Sequence, residues 1–143
     1  ILESGLIVPG EGRGSAAADF DHDGRTDLLV AQNGSTPRLF KNQTKRNGLR
    51  VILRGDEQNP EGVGATMRLK IGDVLGAKRI VRLGSGYLSQ NAPTQVLGNN
   101  EQATGLIVAW PSDGKTEFFN LQSGQFEIVA IKGRGSAWPS VSQ

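Results

Sequence analysis

An all-β fold is predicted by three features of this sequence: its glycine content, the regular spacing of its short apolar runs, and the lack of any convincing 3.6-residue periodicity. The 143 residues include 20 glycines, about twice the average usage of ~7%. Glycine at this density favours short strands joined by tight turns over helices. A β-sandwich or barrel-like domain is therefore expected, with a short strand–loop–strand repeat at its N-terminal side. Folding at this length buries roughly 70% of the unfolded surface. An ordinary core is then within reach without the disulfides that a cysteine-free chain lacks.

Taken in order, Leu6-Ile7-Val8 is a short apolar run closed by the turn signal Pro9-Gly10. Ala16-Ala17-Ala18 leads into an aspartate-rich loop, after which Leu28-Leu29-Val30-Ala31 reads as a buried strand and Arg38-Leu39-Phe40-Lys41 as a shorter one. The polar stretch 42–48 ends in Asn47-Gly48 and marks a boundary. The expected units are residues 1–46, residues 47–133 and a flexible Gly/Ser/Pro-rich tail, 134–143. In the second unit Leu49, Val51 and Leu53 alternate with Arg50, Ile52 and Arg54, as a half-buried strand should. Met67, Leu69 and Ile71 alternate in the same way with Arg68 and Lys70. Further strands are expected at residues 80–83, 95–97, 106–110, 117–121 and 126–131. The run Leu106 to Trp110 is apolar on both faces, so it should be a central strand with Trp110 buried. At least seven strands and no helix longer than two turns are expected.

Asp19, Asp21, Asp23 and Asp27 stand at positions one, three, five and nine of a loop that has Gly24 at position six. Calcium takes six to eight oxygen ligands and needs several carboxylates on tightly folded chain. Alternate residues of such a loop point one way, and Gly24 permits the sharp turn. The carbonyl of Arg25 at position seven would add another oxygen, while Phe20 and His22 should point away. The expected ion is Ca2+, held by Asp19, Asp21, Asp23, Arg25 and Asp27. An EF-hand is excluded because position twelve is Val30 rather than glutamate. The competing reading is an Asp-rich turn satisfied by its own backbone.

The strand–loop–strand setting of these aspartates resembles the FG-GAP or VCBS repeat of integrin-type β-propellers. Three motifs follow it: Gly62-Val63-Gly64-Ala65-Thr66-Met67, Gly84-Ser85-Gly86-Tyr87-Leu88-Ser89-Gln90, and Val108-Ala109-Trp110-Pro111-Ser112-Asp113-Gly114. Their order and spacing over residues 47–132 resemble the ASPIC/UnbV domain, which follows FG-GAP-type repeats in the cartilage acidic protein family. The resemblance implies a secreted, extracellular or cell-envelope (periplasmic) module concerned with binding a protein or glycan. A propeller needs several blades and only one repeat is present, so the rest of a parent propeller is expected upstream. A start at Ile1 rather than methionine agrees with a piece of a longer protein.

The remaining function classes are weaker. A net charge of +2 and a pI near 9.2, without blocks of one sign, do not argue for nucleic acid. No apolar run approaches the ~18 residues of a membrane helix, so no membrane insertion is expected. The lone histidine, His22, lies inside the aspartate loop, and no pair of carboxylates outside it is singled out, so the chain is read as a non-enzyme. Two further binding surfaces are considered. Tyr87, with Ser89 and Gln90, would form a small polar surface, though an ordinary satisfied loop is the stronger reading of these residues. Arg50, Arg54, Arg68 and Lys70 share the polar parity of their strands and would form one basic face for anionic glycans if those strands pair. A purely structural cap for a propeller is the third alternative. The strands of the second unit hold Val51, Leu53, Met67, Leu106, Trp110, Phe126 and Ile131 among other apolar side chains. Each contributes roughly 1.5–3 kcal/mol on burial before entropy is subtracted. That unit should then fold without metal, leaving calcium as a local staple of residues 16–31.

Overall fold

A computed structural model describes residues 5–84, 86–98 and 100–139. Twelve strands are present among them: β1 (Gly12–Ala18), β2 (Asp27–Gln32), β3 (Ser35–Phe40), β4 (Leu49–Arg54), β5 (Thr66–Ile71), β6 (Val74–Leu75), β7 (Arg79–Ile80), β8 (Gln95–Leu97), β9 (Gly105–Ala109), β10 (Thr116–Asn120), β11 (Glu127–Ile131) and β12 (Ser136–Ala137). The one helical element described is a 3-10 turn, Asn100–Gln102. The all-β expectation holds, as a sandwich rather than a closed barrel.

The strands make three sheets. β1, β2 and β3 form an antiparallel meander. Its β2–β3 connection is Asn33-Gly34, with Gly34 at φ 64°, the left-handed conformation such a tight turn requires. A larger sheet runs β12-β10-β9-β5-β6, with β7 also paired to β5. A smaller one runs β11-β4-β8, in which β11 lies parallel to β4.

The core lies between the last two sheets. Leu49, Val51 and Leu53 of β4 meet Met67 and Leu69 of β5, Leu106 and Val108 of β9, and Trp110, which is 2% exposed. β9 is flanked by β5 and β10 and buries Ile107 on its other face as well, so it is the doubly covered central strand expected. Two residues expected in this core lie outside it: Phe126 and Ile131 are exposed. Phe126 precedes β11, and for Ile131 the reason is register. β11 pairs with β4 so that Ile128 stands beside Val51 and Ala130 beside Leu53. Inward parity therefore falls to Ile128 and Ala130, and Ile131 turns outward.

Several ends of elements differ from expectation. Leu6-Ile7-Val8 forms no strand, and the expected strand at 80–83 is only the pair Arg79–Ile80. β1 is made largely of small residues whose strand character comes from pairing with β2, Ala16 beside Leu29 and Ala17 beside Leu28. The expected loose tail is tied down as far as it is described. β12 pairs with β10, and the Trp138 ring stacks on Phe118 with centroids 5.0 Å apart.

The β1–β3 meander has no apolar core of its own. Its buried side chains, among those described, are polar: Asp19, Asp27 and Gln32. Leu29 and Leu39 stay exposed. Polar contacts tie it to the rest of the chain. Gly48 N–H donates to Gly24 O (2.7 Å), Ala92 N–H to Ala17 O (3.1 Å), and Ala17 N–H to Asn91 Oδ1 (2.9 Å).

A candidate metal centre

The aspartate loop joins β1 to β2, and its carboxylates organise its backbone. Asp19 Oδ1 accepts from Asp23 N–H and Oδ2 from Gly24 N–H, both at 3.0 Å. Asp23 Oδ1 accepts from Arg25 N–H at 2.9 Å. Asp27 closes the loop, accepting from Phe20 N–H (3.1 Å) and Asn42 N–H (2.8 Å). Gly24 sits at φ 77°, and a Cβ there would lie 2.9 Å from Gly48 O. Glycine is thus required twice, for the turn and for the close approach to the second unit. Phe20 and His22, at the intervening positions, are exposed.

Carboxylate oxygens of Asp19, Asp21 and Asp27 lie within 4.8 Å of one another. Oxygens that ring one calcium ion at about 2.3–2.6 Å stand at most about 5 Å apart. The three groups therefore suit one such ion, and an all-oxygen donor set is what a hard cation prefers. Asp23 is engaged otherwise: its carboxylate pairs with the Arg25 guanidinium and lies 3.7 Å from Lys41 Nζ. The Arg25 side chain also donates through Nε to Asn42 O and through Nη1 to Asn47 Oδ1, each at 2.9 Å, and so staples the loop to the boundary segment.

Three cations surround the four aspartates. Arg25 pairs with Asp23 and Lys41 with Asp21. Arg50 from β4 reaches across from the second unit, with Nε 2.6 Å from Asp19 Oδ2 and Nη1 on the Glu127 carboxylate. The hydrogen bond from Lys41 holds the Asp21 carboxyl below its ordinary value, and the same contact raises Lys41.

The other surfaces considered fare differently. Arg50 is buried, and β4 lies in a different sheet from β5. Arg50 and Arg54 thus belong to one side of the sandwich and Arg68 and Lys70 to the other. The condition for a single basic face, that those strands pair, is not met. Tyr87 is 75% exposed and Leu88 74%, at the tip of a small turn bridged between Gly86 and Ser89. Leu88 has φ 50°, and Gly14 of β1 packs against the tip so closely that a Cβ would meet Leu88 O at 2.9 Å. Gln90 is exposed beside it.

One polar site had no counterpart in the sequence reading. A pocket of about 310 Å3 at one end of the sandwich is lined by Gly55, Asp56, Trp110, Asp113, Lys115, Glu117, Lys132 and Gly133. Lys132 Nζ lies 3.0 Å from Asp56 Oδ2 and 3.4 Å from Asp113 Oδ2, and donates to Ser112 Oγ at 2.5 Å. Asp56 and Lys132 stand 76 positions apart, so no local spacing announces the pair.

The hydrogen bond from Lys132 holds Asp56 below its ordinary 3.8, and the backbone N–H of Lys115 does the same for Asp113. The contact with Asp56 raises Lys132 above 10.5. Depressed carboxyls contribute stability that is present above 3.8 and lost as pH falls through their lowered values. The raised ammonium contributes stability that is present below 10.5 and lost as pH rises through its raised value. Carboxyl-carbon NMR titration should place the Asp56 and Asp113 midpoints below 3.8. A midpoint at or above that value would mean the cluster does not form in solution.

Among the described residues no helix is long and apolar enough to cross a membrane. The chain matches the FG-GAP repeat family over residues 12–48, which contain the aspartate loop and all of β1 to β3. It is 34% identical to Cartilage acidic protein 1 of Xenopus tropicalis over 126 residues, 84% of this chain and 19% of that protein. With Cartilage acidic protein 1 of Homo sapiens it shares 32% over 130 residues, 87% of this chain and again 19% of the relative. The chain thus spans about a fifth of the length of these relatives. The ASPIC and UnbV family model matches residues 55–135, which hold β5 to β11 and Trp110, and the chain belongs to that family.

Proposed function

We propose that this chain is a non-enzymatic interaction module of a larger extracellular or cell-envelope protein, in which one calcium ion completes the β1–β3 repeat. The observation that carries the reading is that the repeat buries carboxylates where other sheets bury leucine. Asp19 and Asp27 are 9% and 4% exposed, and their oxygens converge with those of Asp21. Buried carboxylates are costly unless paired or metal-bound. Asp19, Asp21 and Asp27 would hold the ion through side chains, with Asp23 and the Arg25 carbonyl as further candidate ligands. The ion supplies charge neutralisation and cross-linking; binding of a protein or glycan partner falls to the surfaces around it.

The exposed Leu29 and Leu39 support the expectation of further propeller repeats beside this one, since a blade normally covers such residues with its neighbour. The anionic-glycan alternative is disfavoured by the burial and pairing of Arg50.

Calcium titrated into chelator-treated protein should bind with one-to-one stoichiometry by calorimetry. At a hundredfold excess over Kd it should add about 2.7 kcal/mol of stability. Asp21→Ala removes an exposed ligand while leaving in place the hydrogen bonds that Asp19 and Asp27 accept, and should abolish the heat. No heat from the unsubstituted protein would rule the calcium reading out.

A further inference from the structure

Lys41 is placed by its neighbours rather than by chance. It directly follows β3, whose Phe40 is locked beside Leu28 of β2. On its other side Asn42 N–H is held by Asp27 Oδ1 at 2.8 Å, and Asn42 Nδ2 donates to Thr26 O at 3.2 Å. The backbone thereby delivers the ammonium to the open side of the aspartate loop, where it contacts Asp21 and stands 3.7 Å from Asp23 Oδ2. Half of the lysine side chain remains exposed.

The charges around the loop divide into fixed and movable. Arg50 is 7% exposed in its side chain, wedged between Asp19 and Glu127. Arg25 is held by Asn42 and Asn47 as well as by Asp23. Those two guanidiniums are built in; the Lys41 ammonium can swing into solvent. With Lys41 in place, three positive charges face four aspartates. With it swung out, two guanidiniums remain against the four aspartates and Glu127, leaving net negative charge for one divalent cation.

We propose that Lys41 is a tethered competitor for the metal, an internal cation that occupies the acidic loop when calcium is absent and must leave when calcium binds. The proposal rests on the calcium reading of the loop and adds what sets the affinity. A side chain attached a few bonds away acts at high effective concentration. It lowers apparent calcium affinity by the factor by which its own contact is favourable. The same contact shields the metal-free carboxylates from mutual repulsion, so the loop keeps its shape at low calcium.

The experiment compares the unsubstituted protein, Lys41→Gln and Lys45→Gln, the last removing an equal charge four residues along. Calcium calorimetry should show Lys41→Gln binding about two- to fivefold more tightly, the range expected for loss of one exposed ion pair, with Lys45→Gln changing much less. In chelator, the Asp23 and Arg25 amides should exchange faster in Lys41→Gln, because the Asp21 and Asp23 carboxylates they bond to lose a counter-charge. At saturating calcium the two proteins should exchange alike. Equal or weaker calcium affinity in Lys41→Gln overturns the competitor role while leaving the calcium site intact. An equal effect from Lys45→Gln reduces it to general electrostatics and also overturns it. Absence of calcium binding in every variant removes the metal reading itself, and the competition with it.

Discussion

Arg50→Met is expected to destabilise the protein by about 3–5 kcal/mol, the cost of leaving one partner of a buried ion pair uncompensated. Arg50 is 6% exposed in the middle of the small sheet, and the Asp19 side chain it faces is 1% exposed. Its Nε lies 2.6 Å from Asp19 Oδ2 without the alignment of a hydrogen bond, so the attraction there is mainly between charges. The substitution also removes the contact to Glu127, but that carboxylate is one-third exposed and water can replace the arginine. Asp19 has no such recourse. Adding Asp19→Asn to Arg50→Met should recover part of the loss, since the buried negative charge then disappears with its partner. Denaturant unfolding of the unsubstituted protein and the two variants measures both effects. A loss below about 1 kcal/mol for Arg50→Met would place the pair among ordinary surface contacts. The contact also qualifies the idea that the second unit stands apart from the aspartate loop, because a residue of β4 neutralises the first loop aspartate.

Trp110→Ala should cost a comparable amount, about 3–5 kcal/mol, as expected for truncating a buried aromatic. The indole does more than fill space. Its Nε1–H donates to Glu117 Oε2 at 2.9 Å, and the same carboxylate accepts from Gly133 N–H at 2.8 Å through Oε1. Glu117 is itself only 7% exposed. Trp110, the start of β10 and the turn after β11 are thus tied at one end of the sandwich. Trp110→Phe keeps most of the apolar contact and strands part of the carboxylate, so it should cost less than alanine but more than zero. Glu117→Leu leaves the buried indole N–H unpaired, at about 1–3 kcal/mol, and takes the acceptor from the part-buried Gly133 N–H. Thermal unfolding that shifts equally little for Trp110→Ala and Trp110→Phe would contradict this account.

Local chemistry was legible in the sequence and distant chemistry was not. The aspartate spacing, with Gly24 at the turn, can be read along nine residues because loop geometry is local. The alternation of Leu49, Val51 and Leu53 likewise exposes the inward face of β4. The parity of β11 could not be read this way. Phe126, Ile128, Val129 and Ile131 are all apolar, and only pairing to β4 selects Ile128 and Ala130 for the core. Arg50 looked like a solvated residue on a polar face because the carboxylate that buries it arrives from 31 positions earlier. The same holds for Lys41, where the sequence shows a strand-end lysine and only the β2–β3 pairing shows what it reaches. Gly133 to Pro139 has the composition of a linker, yet Trp138 finds Phe118 and the segment adds a strand.

The parallel pairing of β11 with β4 has a consequence for the order of events during synthesis. Arg50 and its partner Glu127 are 77 positions apart, so β4 emerges from the ribosome long before the strand that flanks it. Until then β4 can pair only with β8, and its other edge is open with Leu49, Val51 and Leu53 beneath it. Contacts of such long sequence separation form slowly, and an open apolar edge invites pairing with another chain. Arg50 and Arg54, whose side chains alternate with those leucines and valine, place positive charge along the waiting edge. Charge at such positions is what disfavours pairing of an open apolar strand with a second copy.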